Sequence, residues 1–373
     1  MKKLEKSMPV IRFKGFSEAW EQRKLEDILD VRSGRDYKHL DSGDIPVYGT
    51  GGYMLSVGEA LSYEEDAIGI GRKGTIDKPY ILKAPFWTVD TLFYTVPKRD
   101  SDLNFIHSIF QKINWKSKDE STGVPSLSKT TINAVSVFTP SCSEQKEIGT
   151  FFNKLDDTIA LHQRKLDALK LMKKGFLQQM FPKRGENIPK IRLDDFDDIW
   201  EQRILGEFLK ESKIKGSNGS LAKKLTVKLW RKGVVPKEEI YTGSSATQYY
   251  IRKTGQFIYG KLDFLNQAFG IIPLELDGYE STLDSPAFDI EESINETFLL
   301  EYVSLVRFYK YQGNIANGSR RAKRIHTDTF FEMPIPLPNS NEQQKIGTFS
   351  QQIDDLIALQ QNKLEKISSL KRF

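Results

Sequence analysis

EQKEIGTFFNKLDDTIALHQRKL, residues 144–166, returns as EQQKIGTFSQQIDDLIALQQNKL at 342–364, with 14 of 23 positions identical at an offset of 198. From Ile148 the apolar residues of the first copy fall at Phe152, Leu155, Ile159, Leu166, Leu169, Phe176 and Met180, close to the alternating three-and-four spacing of a coiled-coil seam. The second copy places Ile346, Ile353, Ile357, Leu364 and Ile367 in the same phase. Two long helices are therefore expected. Ser143 and Asn341 stand just before Glu144 and Glu342, which suits helix N-termini where an oxygen side chain caps and a carboxylate favours the dipole. Pro140 and Pro338 close the preceding segments, and Pro182 ends the first helix. His162 and Gln360 occupy matching seam positions, where a polar residue either fixes register or marks an exposed layer. Both helices carry many Lys, Gln and Asp residues, so the economical expectation is an antiparallel pair acting as a spacer, a helix of about 38 residues spanning about 57 Å.

Upstream of each helix a second duplicated stretch appears. MPVIRFKGFSEAWEQRKLEDIL at 8–29 matches IPKIRLDDFDDIWEQRILGEFL at 188–209 at an offset of 180, with Pro9, Ile11, Arg12, Phe16 and Trp20-Glu21-Gln22-Arg23 facing Pro189, Ile191, Arg192, Phe196 and Trp200-Glu201-Gln202-Arg203. Between the two anchors, roughly 30–140 and 210–336, no comparable identity remains, and the second stretch is 18 residues longer. The chain is thus a frame written twice around two private inserts, and the period is far too long for a solenoid. A duplication that merely enlarges a scaffold has no need of two different faces.

The composition permits this. A chain of 373 residues holds two or three domains, each with its own core. No window approaches the roughly 18 uninterrupted apolar residues of a membrane span, and MKKLEKSMPVIRF has no apolar run after its basic residues, so a cytoplasmic protein is expected. The single Cys142 fits a reducing compartment, and Ser340 stands at its place in the repeat. His39, His107, His162 and His326 lack companions at ligand spacing, so no metal site is expected. A formal charge of +5 permits an anionic partner without demanding one.

The first insert reads as strand-rich, with runs at IPVYG, AIGIG, PYILKA and TLFYTV and an amphipathic helix near Leu103–Ile113. Its glycine loops hold Thr50, Gly51, Gly52 and Tyr53, and then Gly69-Ile70-Gly71-Arg72-Lys73-Gly74. Close backbone approach with Tyr53, Arg72 and Lys73 nearby suits a DNA-facing loop; plain turn glycines are the other reading. GIGRKG also fits GxGxxG, but it leads into TIDKPYIL, a strand-like run and not a helix, which argues against a dinucleotide site. The second insert offers KLWRKG at 228–233 with Lys232, and YIRKTGQFIYGKLDFLNQAFG at 250–270 with Lys261, Asp263, Asn266 and Gln267. GNIANGSRRAKRIH at 313–326 adds Arg320, Arg321, Lys323 and Arg324. Such groups read bases or hold phosphates; solvated polar faces are the alternative.

Catalytic signatures are not visible. The sequence has no GxxxxGK[ST] loop and no Asn or Asp followed by Pro-Pro and an aromatic. Glu144-Gln145-Lys146 has nuclease-like spacing, but the second copy reads Glu342-Gln343-Gln344-Lys345, and a helix start explains it better.

A twice-repeated frame with WEQR entering each insert and EQ-x-x-IG plus a helix leaving it resembles the specificity subunits of type I restriction–modification systems. VYGTGGYM, GIGRKGTIDKP and STGVPSLSKTTI look like one type of target-recognition domain, which adds Ser128 and Lys129 to the candidate DNA contacts, and YGKLDFLNQAFGIIP with NGSRRAKRI looks like another. The resemblance implies a mixed α/β fold: recognition domains at 1–140 and 184–338, and long helices at 141–183 and 339–373, the second short. It implies that each insert reads half of a split, asymmetric site on double-stranded DNA. The helices, through Ile148, Leu155, Ile159, Leu166, Ile346, Ile353, Ile357 and Leu364, then pair and dock two methyltransferase subunits, and motor-nuclease subunits join the assembly. S-adenosylmethionine, ATP and Mg belong on those partners, with no cofactor on this chain. The first helix runs on through GFLQQMFPK, whereas this sequence holds no second counterpart of Phe176–Phe181. Rival expectations are a coiled-coil scaffold that does not bind DNA, and a stand-alone DNA-modifying enzyme with degenerate motifs.

Overall fold

In the computed structural model, residues 6–194, 196–238, 244–315 and 324–371 are described. The chain divides into two compact units: the residues up to Leu161 together with those from Glu365, and His162–Leu364.

In the first unit the WEQR stretch forms the strand Trp20–Lys24, antiparallel to Ser136–Thr139, with Glu21 opposite Thr139 and Arg23 opposite Val137. The entrance and exit of the insert are thus hydrogen-bonded to each other. The second unit repeats the arrangement, Glu201–Ile204 lying against Pro334–Leu337 with Arg203 opposite Ile335. Within the first insert, Leu29–Ser33, Leu92–Pro97, Ala67–Gly71 and Tyr80–Leu82 form an antiparallel sheet in that order. The expected amphipathic helix is Leu103–Lys112, capped by Asp102, whose Oδ1 accepts from the Phe105 N–H.

The inserts are less private than their sequences suggest. Leu209–Ser212, Ala287–Ile290, Phe257–Tyr259 and Phe269–Ile271 form a sheet of the same order and sense, followed by the helix Glu296–Val303 capped by Asn295. Strand pairing asks only for apolar alternation and free backbone groups, so the sheet persists where identity is lost. Divergence concentrates in a smaller sheet. Ser42–Gly49 pairs antiparallel with Gly52–Val57 and parallel with Trp87–Thr88 in the first unit. In the second, Gln248–Ile251 has two antiparallel neighbours, Lys215–Asn218 and Glu280–Ser281, and a separate hairpin joins Leu225–Val227 to Val234–Pro236.

The long helices are Cys142–Met180 and Ser340–Leu370. Their caps correct the sequence reading. Ser141 and Asn339, not Ser143 and Asn341, precede the first turn, and their side-chain oxygens accept from the N–H groups of Glu144 and Glu342. Glu144 and Glu342 stand in the first turn as expected, and both are in addition buried in ion pairs. Arg12 holds Glu144 through Nε at 2.9 Å and Nη2 at 2.5 Å, and Arg192 holds Glu342 at 2.8 and 2.5 Å. The neighbouring glutamines are clamps. Gln145 donates to the Pro140 carbonyl and accepts from the Asp102 N–H; Gln343 donates to Pro338 and accepts from Asn295. The glycine completes the motif, because a Cβ would meet Asp102 Oδ1 at 2.2 Å from Gly149 and Asn295 Oδ1 at 2.6 Å from Gly347.

Ile148 packs against the first core and Ile346 lies within the second. Leu166 and Ile353 are buried, while Leu155, Ile159, Ile357 and Leu364 are half-buried. Within the second unit the helices run antiparallel, as Gln360 meets His162 and Asp354 meets Lys173. Phe176–Phe181 is not left over: Leu177, Met180 and Phe181 lie in the second unit's core.

Candidate nucleic-acid interface

In the first unit three loops that are distant in sequence converge. Gly49 pairs with Gly52 at the end of a hairpin, leaving Thr50 and Gly51 at its tip; Gly52 takes the left-handed φ of 106° that the turn requires. Tyr53 is exposed, its ring edge-on to Tyr48, and Tyr80 donates from its hydroxyl to the Gly49 carbonyl at 2.6 Å. The GIGRKG loop lies next to this tip, a Cβ on Gly74 falling 3.9 Å from Thr50 Oγ1.

The glycines of that loop have backbone reasons. A Cβ on Gly71 would lie 2.0 Å from the Thr75 carbonyl oxygen, and Gly74 has φ +90°. Between them Arg72 and Lys73 are exposed. Their N–H groups donate to the Thr91 carbonyl, while Leu127 donates to the Arg72 carbonyl and Gly74 to that of Pro125. The STGVPSLSKTTI segment is thereby stitched alongside. Ser128 caps the short helix Lys129–Ala134, accepting from Thr131 N–H and donating to Glu120, and Lys129 is exposed at its start. As the context of GIGRKG demanded, the loop leads to the strand Tyr80–Leu82 and not to a helix.

The structure adds residues that the sequence reading passed over. Asp36, Tyr37 and Lys38 share a concavity with Gly49–Met54 and Val89–Thr91. Their signal was an aromatic beside charged groups in RDYKH, between a strand and a hairpin.

In the second unit the candidates form no single cluster. Trp230 and Arg231 both have positive φ, 58° and 56°, and their N–H groups donate to the carbonyls of Asn266 and Gln267 at 2.7 and 3.1 Å. Gln267 itself is left-handed, at φ 51°. Asn266 donates from its amide to Asp263. Lys232 is exposed on this turn and Trp230 projects beside it. Lys261 belongs to a different junction, bound through its backbone to Asp284 and Ile325, and burial lowers its ammonium pKa. Arg252, near Lys261 in sequence, is fully buried, donating to Ser281 Oγ and the Ser212 carbonyl, and burial pushes it down to about 10. It is a strut of the fold. Arg324 pairs with Asp284 at 2.9 Å; Arg320, Arg321 and Lys323 lie outside the described residues.

Behind the Trp230 turn is a buried hub. Glu301 accepts from Arg231, Lys173 and Ser350, and Lys173 also binds Asp354. Burial would raise the Glu301 carboxyl, but the attraction of Arg231, seconded by its hydrogen bonds and Lys173, holds it at about 2. The turn is thereby fixed to both long helices.

A family model described as the type I restriction modification DNA specificity domain matches residues 17–171 and again 198–369. The type I restriction enzyme MjaVIII specificity subunit of Methanocaldococcus jannaschii is 24% identical over 291 residues, 73% of this chain and 68% of that protein. The S subunit of the type I restriction–modification system from M. genitalium has a similar fold, with a TM-score of 0.66 at 12% identity, covering 95% of this chain and 94% of its own. A chain from a structure concerned with complex assembly and conformational transition of the type I R-M system matches with a TM-score of 0.54 at 13% identity over 97% of both.

Proposed function

The chain belongs to the type I restriction modification DNA specificity family, and from this premise we propose that it is the sequence-reading subunit of a type I restriction–modification system. Its two inserts each read one half of a bipartite, asymmetric site on double-stranded DNA. Its two long helices, at 141–183 and 339–373, bind partners, while the recognition domains occupy 1–140 and 184–338. The observation that carries this reading is the repeated closure of each insert by its own frame: Trp20–Lys24 on Ser136–Thr139, and Glu201–Ile204 on Pro334–Leu337. A frame that closes on itself presents an interchangeable reader.

The chain acts by positioning and does no chemistry. Adenine methylation with S-adenosylmethionine is assigned to two methyltransferase subunits, and ATP- and Mg-dependent translocation and cleavage to motor-nuclease subunits. In the first unit, Thr50–Tyr53, Arg72, Lys73 and Lys129 supply donors and an aromatic for phosphates and base edges. Ser128 acts through the helix it caps. In the second, Lys232, Asn266 and Gln267 shape and edge the Trp230 turn, and Lys261, Arg320, Arg321 and Lys323 complete the candidate contacts. Among the described residues no helix is long and apolar enough to cross a membrane.

The test is methylome sequencing of cells that carry the chain with its methylating partner, before and after residues 30–140 are replaced by another insert of the same type. One half of the modified motif is expected to change and the other to persist. A motif that changes in both halves overturns the two-reader reading, and unmodified DNA in both cases favours a scaffold.

A further inference from the structure

Of the five tryptophans in the chain, Trp87, Trp115 and Trp200 are buried and Trp20 is half-buried, while Trp230 is 55% exposed. It stands in the loop 228–233 of the second unit, between the strands Leu225–Val227 and Val234–Pro236, which the Lys228 N–H closes by donating to the Gly233 carbonyl at 2.9 Å. The backbone is strained to expose it. Trp230 and Arg231 are consecutive residues with φ of 58° and 56°, a region that residues with a Cβ rarely adopt. The surroundings hold both in place. Their N–H groups are tied to Asn266 and Gln267, and the Arg231 guanidinium turns inward to grip both oxygens of the buried Glu301 at 2.5 and 3.1 Å. Strain maintained by neighbouring contacts in this way is characteristic of functional sites.

The charges around the indole indicate what it meets. Trp230 borders a concavity of about 600 Å³ whose lining includes Lys170 and Lys174 of the first long helix. Lys228 and Lys232 stand two positions to either side of it in the loop. All four lysines are exposed, and none of them pairs with a carboxylate among the described residues. The two acids of the concavity are already engaged, Glu301 by Arg231 and Lys173, and Asp354 by Lys173. Lysine is depleted where a tryptophan anchors a protein–protein interface. Uncompensated lysines around an exposed aromatic suit instead a polyanion that carries stackable rings.

We propose that Trp230 is a DNA wedge: its indole stacks into a base step of the duplex held by the second unit, while Lys170, Lys174, Lys228 and Lys232 hold the phosphates around that step. This rests on the DNA-reading role given above and deepens it by naming a contact of a different kind. A wedge reads no base edge. Opening a base step costs stacking energy, least at pyrimidine–purine steps, so the indole adds a preference for deformable sequence at a position where the protein makes no base-edge hydrogen bond. The strained turn keeps the indole from retreating, because Glu301 fixes Arg231 to Lys173 of the first long helix and to Ser350 of the second.

Photocrosslinking tests this on the full chain assembled with its methylating partner. Duplexes that carry the methylated motif, with 5-iodouracil at successive thymine positions, are irradiated in the complex, and mass spectrometry identifies the attached peptide. A crosslink to Trp230 is expected from one short stretch of DNA. Trp230→Phe keeps the crosslink and most of the affinity, whereas Trp230→Ala loses the crosslink and binds about tenfold more weakly. Lys170→Ala combined with Lys174→Ala keeps the crosslink and lowers the slope of log affinity against log salt by about 1 for each phosphate released. Circular dichroism checks that each variant folds. A complex that binds its motif without a Trp230 crosslink, or as tightly with Trp230→Ala, overturns the wedge and leaves DNA reading standing. A complex that binds the motif no better than unrelated duplex overturns the reading itself. Loss of the methylating partner from the Trp230→Ala chain, with no crosslink in the parent, assigns the indole to a protein contact and overturns the proposal.

Discussion

Gln360 of the second long helix donates its side-chain amide to His162 of the first, at 2.5 Å from Nδ1 and 3.2 Å from the backbone carbonyl oxygen. The two are repeat-mates, 198 residues apart, and Gln360 is buried at 5% exposure. A polar pair in the seam whose Gln360 is buried fixes register, because any slip leaves the amide unsatisfied. Gln360→Leu is expected to cost about 1–3 kcal/mol by stranding His162. The double change His162→Leu with Gln360→Leu should recover most of that loss. Urea denaturation of the three proteins decides it, and unchanged midpoints would contradict the pairing.

The two copies of the tryptophan predict an asymmetry. Trp200→Phe removes the indole donor from Glu342 and should cost about 1–2 kcal/mol beyond the loss of packing. Trp20→Phe removes an N–H that has no partner among the described residues, so its cost should be smaller. Arg192→Lys should fail to restore what Arg192→Ala loses, since Nε and Nη2 grip both Glu342 oxygens at once. Unfolding midpoints of the four variants give the order, and equal losses for the two tryptophans would refute it.

Gly149 and Gly347 should not accept alanine. The added Cβ would press on Asp102 Oδ1 and Asn295 Oδ1, the very atoms that cap the neighbouring helix in each unit. Each substitution is expected to cost about 1–3 kcal/mol. Thermal unfolding reads it directly, and a neutral Gly347→Ala would mean that the helix start can retreat.

Glu301 supplies a pH signature. Its carboxyl is held at about 2, below the ordinary glutamate value of 4.5, so the folded state keeps it ionised where the unfolded chain already takes up a proton. That contribution is complete above pH 4.5 and is lost as pH falls through the folded value, with a size of roughly 3 kcal/mol. The stability gap between the parent chain and Glu301→Gln should therefore narrow from about pH 5 towards about pH 2. A gap that stays constant across that interval would show that the carboxylate is not what holds Arg231 and Lys173.

Arg72 and Lys73 test the interface. Replacing both by alanine should weaken duplex DNA binding and reduce the slope of log affinity against log salt by about 1 for each phosphate no longer neutralised. Ser128→Ala should instead lower stability by about 1 kcal/mol through its cap, with the salt slope kept. Binding titrations at several salt concentrations separate the two, and an intact slope in the double variant would remove these cations from the DNA surface.

The sequence by itself determined the duplication, the two long helices and the frame around each insert. Those features rest on local periodicity and on strings such as WEQR and EQ-x-x-IG that survive copying. It also determined that GIGRKG leads into no helix, since a Pro-containing strand follows it. Tertiary structure alone decided what the repeated residues do. Glu144 and Glu342 read as helix-start carboxylates because their partners, Arg12 and Arg192, lie 132 and 150 positions away. Gly149 and Gly347 matter only through a cap on another helix, and Arg252, unremarked within the run YIRKTGQ, is buried among carbonyl groups. The common sheet of the two inserts is illegible in the residues because hydrogen bonding between strands constrains the backbone and leaves the side chains free to diverge. Helix period is written into neighbouring residues, whereas burial and partnership arise only when distant segments close on one another.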